Sequence, residues 1–139
     1  SELFALVTAA EKATGIPAKE LVHKFGVYML PHFVTNYPIF FEGQTSLKEF
    51  LLTVDEVIHV EVRKLYPDAG LPEFAYENRE DNELVMLYSS PRKLCALAEG
   101  LIEGSAKHFK QTCLIKHDIC MHNDSDHCRF ELQISEPLE

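Results

Sequence analysis

Three side chains that carry hydrogen-bond donors alternate along the stretch LYSSPRKLC, residues 87–95. Tyr88, Ser90 and Arg92 are spaced by two, and side chains in an extended segment repeat every two residues on one face. Pro91 keeps a helix from extending back into this stretch. A phenol, an alcohol and a guanidinium on one face suit an anion with several oxygen atoms. The pattern therefore predicts an anion-binding site.

Cysteine and histidine spacing indicates a second kind of site. Cys95, His117, Cys120 and Cys128 follow the pattern C-x21-H-x2-C-x7-C. The pair His117 and Cys120 is close enough along the chain to chelate one ion, and Cys128 returns after a short turn. Three thiolates and one imidazole form a standard tetrahedral ligand set for structural Zn²⁺, whereas magnesium and calcium prefer oxygen ligands. The spacing therefore predicts a zinc site.

Two alternatives to this ligand set stay open at the level of sequence. His122 and His127 are competing histidine ligands, and free cysteines are also common as plain buried core residues. Cys113 is left over from the set, and we interpret it as a buried or redox-active thiol.

His59 is the centre of a third candidate site. In the helix predicted around it, His59 lies at the flank of an apolar stripe, on the same side as Asp55 and Tyr66. A single histidine in such a place is commonly just a half-exposed side chain. The functional alternative is an axial metal ligand whose imidazole projects into a pocket beside the core. The remaining histidines outside these candidate sites, His23, His32 and His108, have no partner that the sequence identifies.

The elements that would position these residues follow from periodicity and from capping and turn residues. Four helices are predicted, at about residues 2–13, 17–35, 46–65 and 92–110. Ser46 and Glu49 have the spacing of a capping box at the start of the third helix. Four strands are predicted, at about residues 73–77, 83–89, 112–119 and 127–135. Helices followed by a mixed second half predict an α+β fold with an antiparallel sheet and a helix packed on it.

Composition limits the classes of protein. A chain of 139 residues is expected to form one domain, residues 1–139, and a net charge of −9 argues against nucleic acid as a partner. No apolar run reaches the roughly 18 residues that span a bilayer, so no membrane partner is expected. Four cysteines and seven histidines in an acidic chain favour a reducing compartment, the cytoplasm. The chain starts at Ser1 and enters a helical pattern directly, so we expect that its natural N-terminus lies upstream.

Two separated motifs together resemble one known family. Tyr88, Ser90 and Arg92 match the Y-x-S-x-R signature of H-NOX domains, which bind heme and nitric oxide or oxygen. The segment HVEVRKLYPDAGLPEF, which begins at His59, is similar to the family's segment with the proximal heme histidine. The resemblance covers essentially the whole chain, and the distance from His59 to Tyr88 agrees with it.

The resemblance implies roles for these residues. It implies heme b as cofactor, His59 as the iron ligand, Tyr88, Ser90 and Arg92 as ligands of the heme propionates, and Pro72 as the residue that distorts the porphyrin. Leu97 and Leu101 would line the distal pocket. Members that bind oxygen stably carry a distal tyrosine at the position of Leu97. The similarity therefore implies a sensor that binds nitric oxide and carbon monoxide and excludes oxygen.

The resemblance also implies how such a domain signals. Nitric oxide binds ferrous iron, the bond to His59 breaks, and a separate partner reads the changed surface. In bacteria the partner is typically a histidine kinase or an enzyme of cyclic di-GMP metabolism, and the domain itself is not an enzyme. The three cysteines and His117 match a bacterial subgroup with a zinc site. A complete family domain begins about 40 residues before Ser1, with helices of the distal side, so this chain is expected to lack them.

A rival hypothesis makes the thiols primary. In it the chain is a zinc–thiolate redox sensor that works independently of heme, and oxidation of the cysteines releases the metal. An enzyme that uses His59 as a base is less favoured, because the sequence places no Ser or Cys nucleophile near it.

Overall fold

The computed structural model describes residues 2–57, 59–60, 63–65, 71–80, 82–90, 94–120 and 125–135. The helices are α1 (Glu2–Thr14), α2 (Ala18–Asn36), α3 (Leu47–Leu51), α4 (Val54–Val57), α5 (Arg63–Leu65) and α6 (Cys95–His108). The strands are β1 (Glu73–Asn78), β2 (Glu83–Ser89), β3 (Cys113–Ile119) and β4 (Cys128–Ile134). The predicted α+β class is confirmed, since the helices accompany one antiparallel sheet.

The sheet has the order β1-β2-β4-β3, with every neighbouring pair antiparallel. Along β4, residues alternate between buried and partly or fully exposed positions, the pattern of a strand with one face on a core. Its buried residues are Cys128, Phe130, Leu132 and Ile134. This face of the sheet therefore forms one side of the core.

Helix α6 lies between the core and α2. Cys95, Ala98, Ile102 and Ala106 are spaced by three or four residues and are buried in the same cluster as the sheet residues. Small residues allow α2 to approach α6 closely on another face. A Cβ at Gly26 would lie only 2.7 Å from the backbone oxygen of Leu97. The position of α6 is thus fixed by contacts with the core and with α2.

The prediction of one continuous third helix over residues 46–65 is wrong, because α3 and α4 are separate helices. Ser46 does cap α3, because its Oγ accepts the Glu49 N–H at 3.2 Å. The helix then ends in a turn in which the Thr53 N–H and hydroxyl both donate to the Phe50 oxygen, at 3.0 and 2.7 Å. The Asp55 N–H donates to the Tyr76 hydroxyl on β1 at 3.2 Å. The Asp55 N–H therefore donates to a distant strand and not to a preceding helical carbonyl, and the helix is interrupted here.

Among the described residues, none of the helices combines the length and the apolarity needed to cross a membrane.

Candidate functional sites

One helix and two strands bring the predicted zinc ligands together. Cys95 is the first residue of α6, His117 lies on β3, Cys120 follows β3 directly, and Cys128 is the first residue of β4. One ligand atom from each lies within 4.8 Å of all the others. The Sγ atoms of Cys95 and Cys120 are 3.7 Å apart, and none of the thiols is in a disulfide.

The His117 ring fits a metal ligand in this cluster. Its Nδ1 lies 2.9 Å from Glu99 Oε1, whereas its Nε2 is buried and has no hydrogen-bond partner among the described residues. Phe130 contacts the ring edge-on, with ring centroids 4.6 Å apart. A buried polar atom without a partner is costly, and a bound cation would satisfy it. Three thiols and this nitrogen therefore fit Zn²⁺ by number and by chemistry.

Burial disfavours the charged form of the Cys95 thiol when no cation is bound. Burial is the main cause that raises the pKa of Cys95, and the neighbouring Cys128 and Cys120 thiols raise it further. Several thiolates side by side would repel one another, so a divalent cation is the partner that permits them. Metal binding at this site would therefore displace the proton of the Cys95 thiol.

His59 lies on the wall of a separate cleft of about 510 Å³. Small-molecule and cofactor sites commonly have volumes of roughly 300–1,000 Å³. The cleft is lined by Asp55, His59, Arg63, Glu73, Phe74, Ala75, Leu87, Tyr88, Ser89 and His127. The structure thus brings two predicted site residues, His59 and Tyr88, onto one cleft.

The His59 imidazole has a polar neighbour at each ring nitrogen. Its Nδ1 lies 3.0 Å from Arg63 Nη2, and its Nε2 lies 3.4 Å from Asp55 Oδ1. The same Asp55 oxygen accepts the Phe74 N–H at 2.7 Å, which fixes the carboxylate against β1. The side chain of His59 is 23% exposed, so a group in the cleft can reach it. His59 could therefore bind a metal through Nε2 if that nitrogen gave up its contact with Asp55.

Tyr88 and Ser90 lie deeper than the sequence alone indicates. They are 3% and 5% exposed, and their side chains are hydrogen-bonded to each other. The Tyr88 oxygen also accepts the Leu94 N–H at 3.2 Å, and burial raises the pKa of Tyr88. Arg92, the third predicted propionate ligand, lies outside the described residues.

Of the predicted heme-site residues that the structure describes, Ser90, Pro72, Leu97 and Leu101 do not line the His59 cleft. Pro72 is half-buried just before β1. Leu97 and Leu101 are half-buried on α6, and their backbone atoms face Gly26 of α2.

Sequence reasoning missed the link from His59 through Asp55 to β1, and it missed Glu99 entirely. Glu99 follows Cys95 by four residues on α6, so both lie on one helix face. That spacing is the signal by which Glu99 could have been found. The sequence also assigned no partner to His23, which contacts Glu103 and Glu99.

Comparison with known proteins identifies the family. The haem-NO-binding (HNOB) family model matches residues 1–117. An H-NOX protein from S. oneidensis, solved in the Fe(II)NO ligation state, is 32% identical with a TM-score of 0.90, over 97% of this chain and 75% of that one. An unliganded Fe(II) H-NOX protein from K. algicida is 28% identical with a TM-score of 0.88, over 99% of this chain and 74% of that one. A mutant of the T. tengcongensis H-NOX protein is 25% identical with a TM-score of 0.76, over 96% and 72%.

The chain therefore belongs to the H-NOX family of heme-based gas sensor domains, which are not enzymes. No curated protein matches its sequence.

Proposed function

We propose that the chain is a heme-based nitric oxide sensor domain that excludes oxygen and signals to a partner protein. The observation that carries this proposal is the position of His59, an accessible imidazole on a cofactor-sized cleft in a chain of this family. Similar proteins from S. oneidensis have been solved in the Fe(II)NO and Fe(II)CO ligation states, which supports nitric oxide and carbon monoxide as ligands.

Bound heme b supplies an iron centre that takes up a diatomic gas. His59 is the proposed iron ligand, and Tyr88, Ser90 and Arg92 are the proposed ligands of the propionates. Pro72 is proposed to press on the macrocycle. Leu97 and Leu101 are proposed as the distal wall, and they offer no hydrogen-bond donor to polarised dioxygen.

Release of His59 is the proposed signal. Asp55 contacts His59 and also accepts the Phe74 N–H of β1, so a movement of the imidazole reaches the edge of the sheet through one carboxylate. A partner that binds the sheet and α4 only in one of the two states would read this change. The proposed partner is a histidine kinase or a cyclic di-GMP enzyme.

An absorption spectrum of the reduced protein, taken before and after addition of nitric oxide, tests this proposal. We expect a Soret band that nitric oxide shifts to the position of an iron centre without its histidine ligand. In air we expect that the reduced protein forms no stable oxygen complex. A visible region without any heme band after reconstitution would refute it.

A second candidate function rests on the thiol cluster. Three buried cysteines and His117 within 4.8 Å of one another support bound Zn²⁺, and a zinc–thiolate redox sensor independent of heme. This hypothesis is tested by measuring the zinc content and the number of free thiols before and after treatment with peroxide. Release of zinc with loss of thiols supports redox sensing, and zinc retained with intact thiols contradicts it.

A further inference from the structure

We infer that Glu99 is the positioning residue of the zinc site, and that it joins this site to α2 through His23. The inference rests on the zinc site proposed above. It concerns residues outside the four ligands, and it follows from two contacts of the Glu99 carboxylate, a hydrogen bond to His117 and a longer contact with His23.

The contact between Glu99 and His117 selects one form of the imidazole. Glu99 Oε1 lies 2.9 Å from His117 Nδ1, and a carboxylate accepts hydrogen bonds but does not donate them. The proton of the neutral ring is therefore held on Nδ1. The lone pair of the ring is left on Nε2, which is buried and meets no hydrogen-bond partner within the described part of the chain. By holding the proton on Nδ1, Glu99 thus leaves Nε2 of His117 free to bind the metal.

Burial makes this contact effective. The side chains of His117 and Glu99 are only 12% and 16% exposed, so little water competes for the hydrogen bond. A histidine ligand whose second nitrogen donates to a carboxylate is held in orientation and is more basic. Loss of such a partner typically weakens metal binding by about 10- to 100-fold.

The second carboxylate oxygen of Glu99 contacts a residue of another helix, α2. Glu99 Oε2 lies 3.8 Å from His23 Nδ1, and the other nitrogen of His23 lies 2.5 Å from Glu103 Oε2. His23 belongs to α2, and α2 meets α6 here at glycine contacts, where a Cβ at Gly100 would overlap the His23 carbonyl oxygen. A zinc ion that fixes His117 and Glu99 therefore also restrains α2.

The test measures zinc affinity by competition with a chromophoric chelator. Glu99→Ala is expected to raise the zinc Kd about 10- to 100-fold, and Glu99→Gln, whose amide oxygen still accepts a hydrogen bond, is expected to restore part of the loss. Glu103→Gln is the matched control, because Glu103 lies on the same helix and contacts His23 but not His117. Its zinc Kd is expected to equal that of the parent.

A second readout uses zinc-free protein and separates a positioning role from a general loss of structure. Histidine ¹⁵N spectra at about pH 8, where free imidazole with a pKa of roughly 6.5 is neutral, report which ring nitrogen carries the proton. We expect the Nδ1–H form for His117 in the parent and in Glu103→Gln, and a mixture of both forms in Glu99→Ala. Zinc is also expected to slow amide exchange in α2 of the parent, but not of Glu99→Ala.

The outcomes are distinct. A parent that binds no zinc refutes the zinc site, and the inference with it. A parent that binds zinc with the same Kd as Glu99→Ala, or a Glu103→Gln variant with an equal loss, refutes the role of Glu99 alone. Amide exchange in α2 that does not respond to zinc refutes the connection to His23.

Discussion

Tyr88 and Cys128 lie directly opposite each other on the neighbouring strands β2 and β4. The Tyr88 hydroxyl also accepts the N–H of Leu94, the residue immediately before Cys95. Tyr88, which is proposed to bind a heme propionate, therefore contacts the segments that carry the proposed zinc ligands Cys95 and Cys128. The two candidate sites, which the sequence presents separately, share one side of the core.

Loss of the Tyr88 hydroxyl is expected to destabilise the fold. Tyr88→Phe leaves the Leu94 N–H without its acceptor, and an unpaired donor of this kind costs about 1–3 kcal/mol. Denaturant unfolding of the zinc-free protein measures the change. Tyr28→Phe is the control, because Tyr28 is 66% exposed and no large change is expected there. Equal stabilities of the two variants would contradict the prediction.

His59→Gly is expected to abolish the Soret band of the reconstituted protein, because it removes the only proposed ligand of the iron. Added imidazole should restore the band by occupying the space of the lost side chain. His127→Ala is the control, since His127 lines the same cleft and is assigned no role there. A heme spectrum of His59→Gly that matches the parent without imidazole would show that His59 is not the ligand.

Close packing of α2 on α6 predicts a large effect of a single methyl group. A Cβ at Gly100 would overlap the carbonyl oxygen of His23 and approach Gly26 to 3.1 Å. Backbone atoms cannot yield as a flexible side chain does, so Gly100→Ala is expected to lower the free energy of unfolding by about 1–3 kcal/mol.

Lys107→Ala on the same helix is the control for helix propensity, because Lys107 is exposed. Thermal unfolding of both variants under one condition measures the difference. A Gly100→Ala variant as stable as Lys107→Ala would show that the two helices can separate at no cost.

The strands of this chain were predictable because their information is local. An apolar run within residues 83–89, preceded by an acidic turn, predicts β2 with the bounds that the structure gives, and the other three strands agree within one residue at each end. Spacing alone also predicts that His117 and Cys120 lie close together. Local patterns of this kind need no knowledge of distant residues.

Features that depend on distant residues were not predictable. The break after α3 depends on the Tyr76 hydroxyl, which lies 21 positions from Asp55 in the sequence. The inward position of Tyr88 and Ser90 likewise depends on Leu94 and on the packing of β4. A spacing of two predicts that side chains share a face, but it does not predict whether that face is toward solvent or toward the core.

Cys113, the cysteine outside the zinc set, is expected to react slowly with alkylating reagents in the folded protein. Burial, with a smaller contribution from the charge of Glu103, raises the pKa of Cys113 from 9.0 to about 12. The thiolate is the nucleophile, and three pKa units reduce its fraction near neutral pH by about a thousandfold. Iodoacetamide labelling mapped by mass spectrometry is expected to modify Cys113 rapidly only after denaturation. Rapid labelling in the folded protein would contradict the pKa and would favour a redox role for this thiol.

The same shift predicts how stability depends on pH. Below about pH 9 the thiol is neutral in both the folded and the unfolded chain, so its contribution to stability is fully present. Between about pH 9 and 12 the unfolded thiol loses its proton while the folded one keeps it, and stability is lost as pH rises. Cys113→Ser has no thiol to ionise, so its stability is expected to fall less steeply than that of the parent in urea unfolding over this range. Parallel curves for the two proteins would mean that Cys113 ionises equally in the folded and unfolded states.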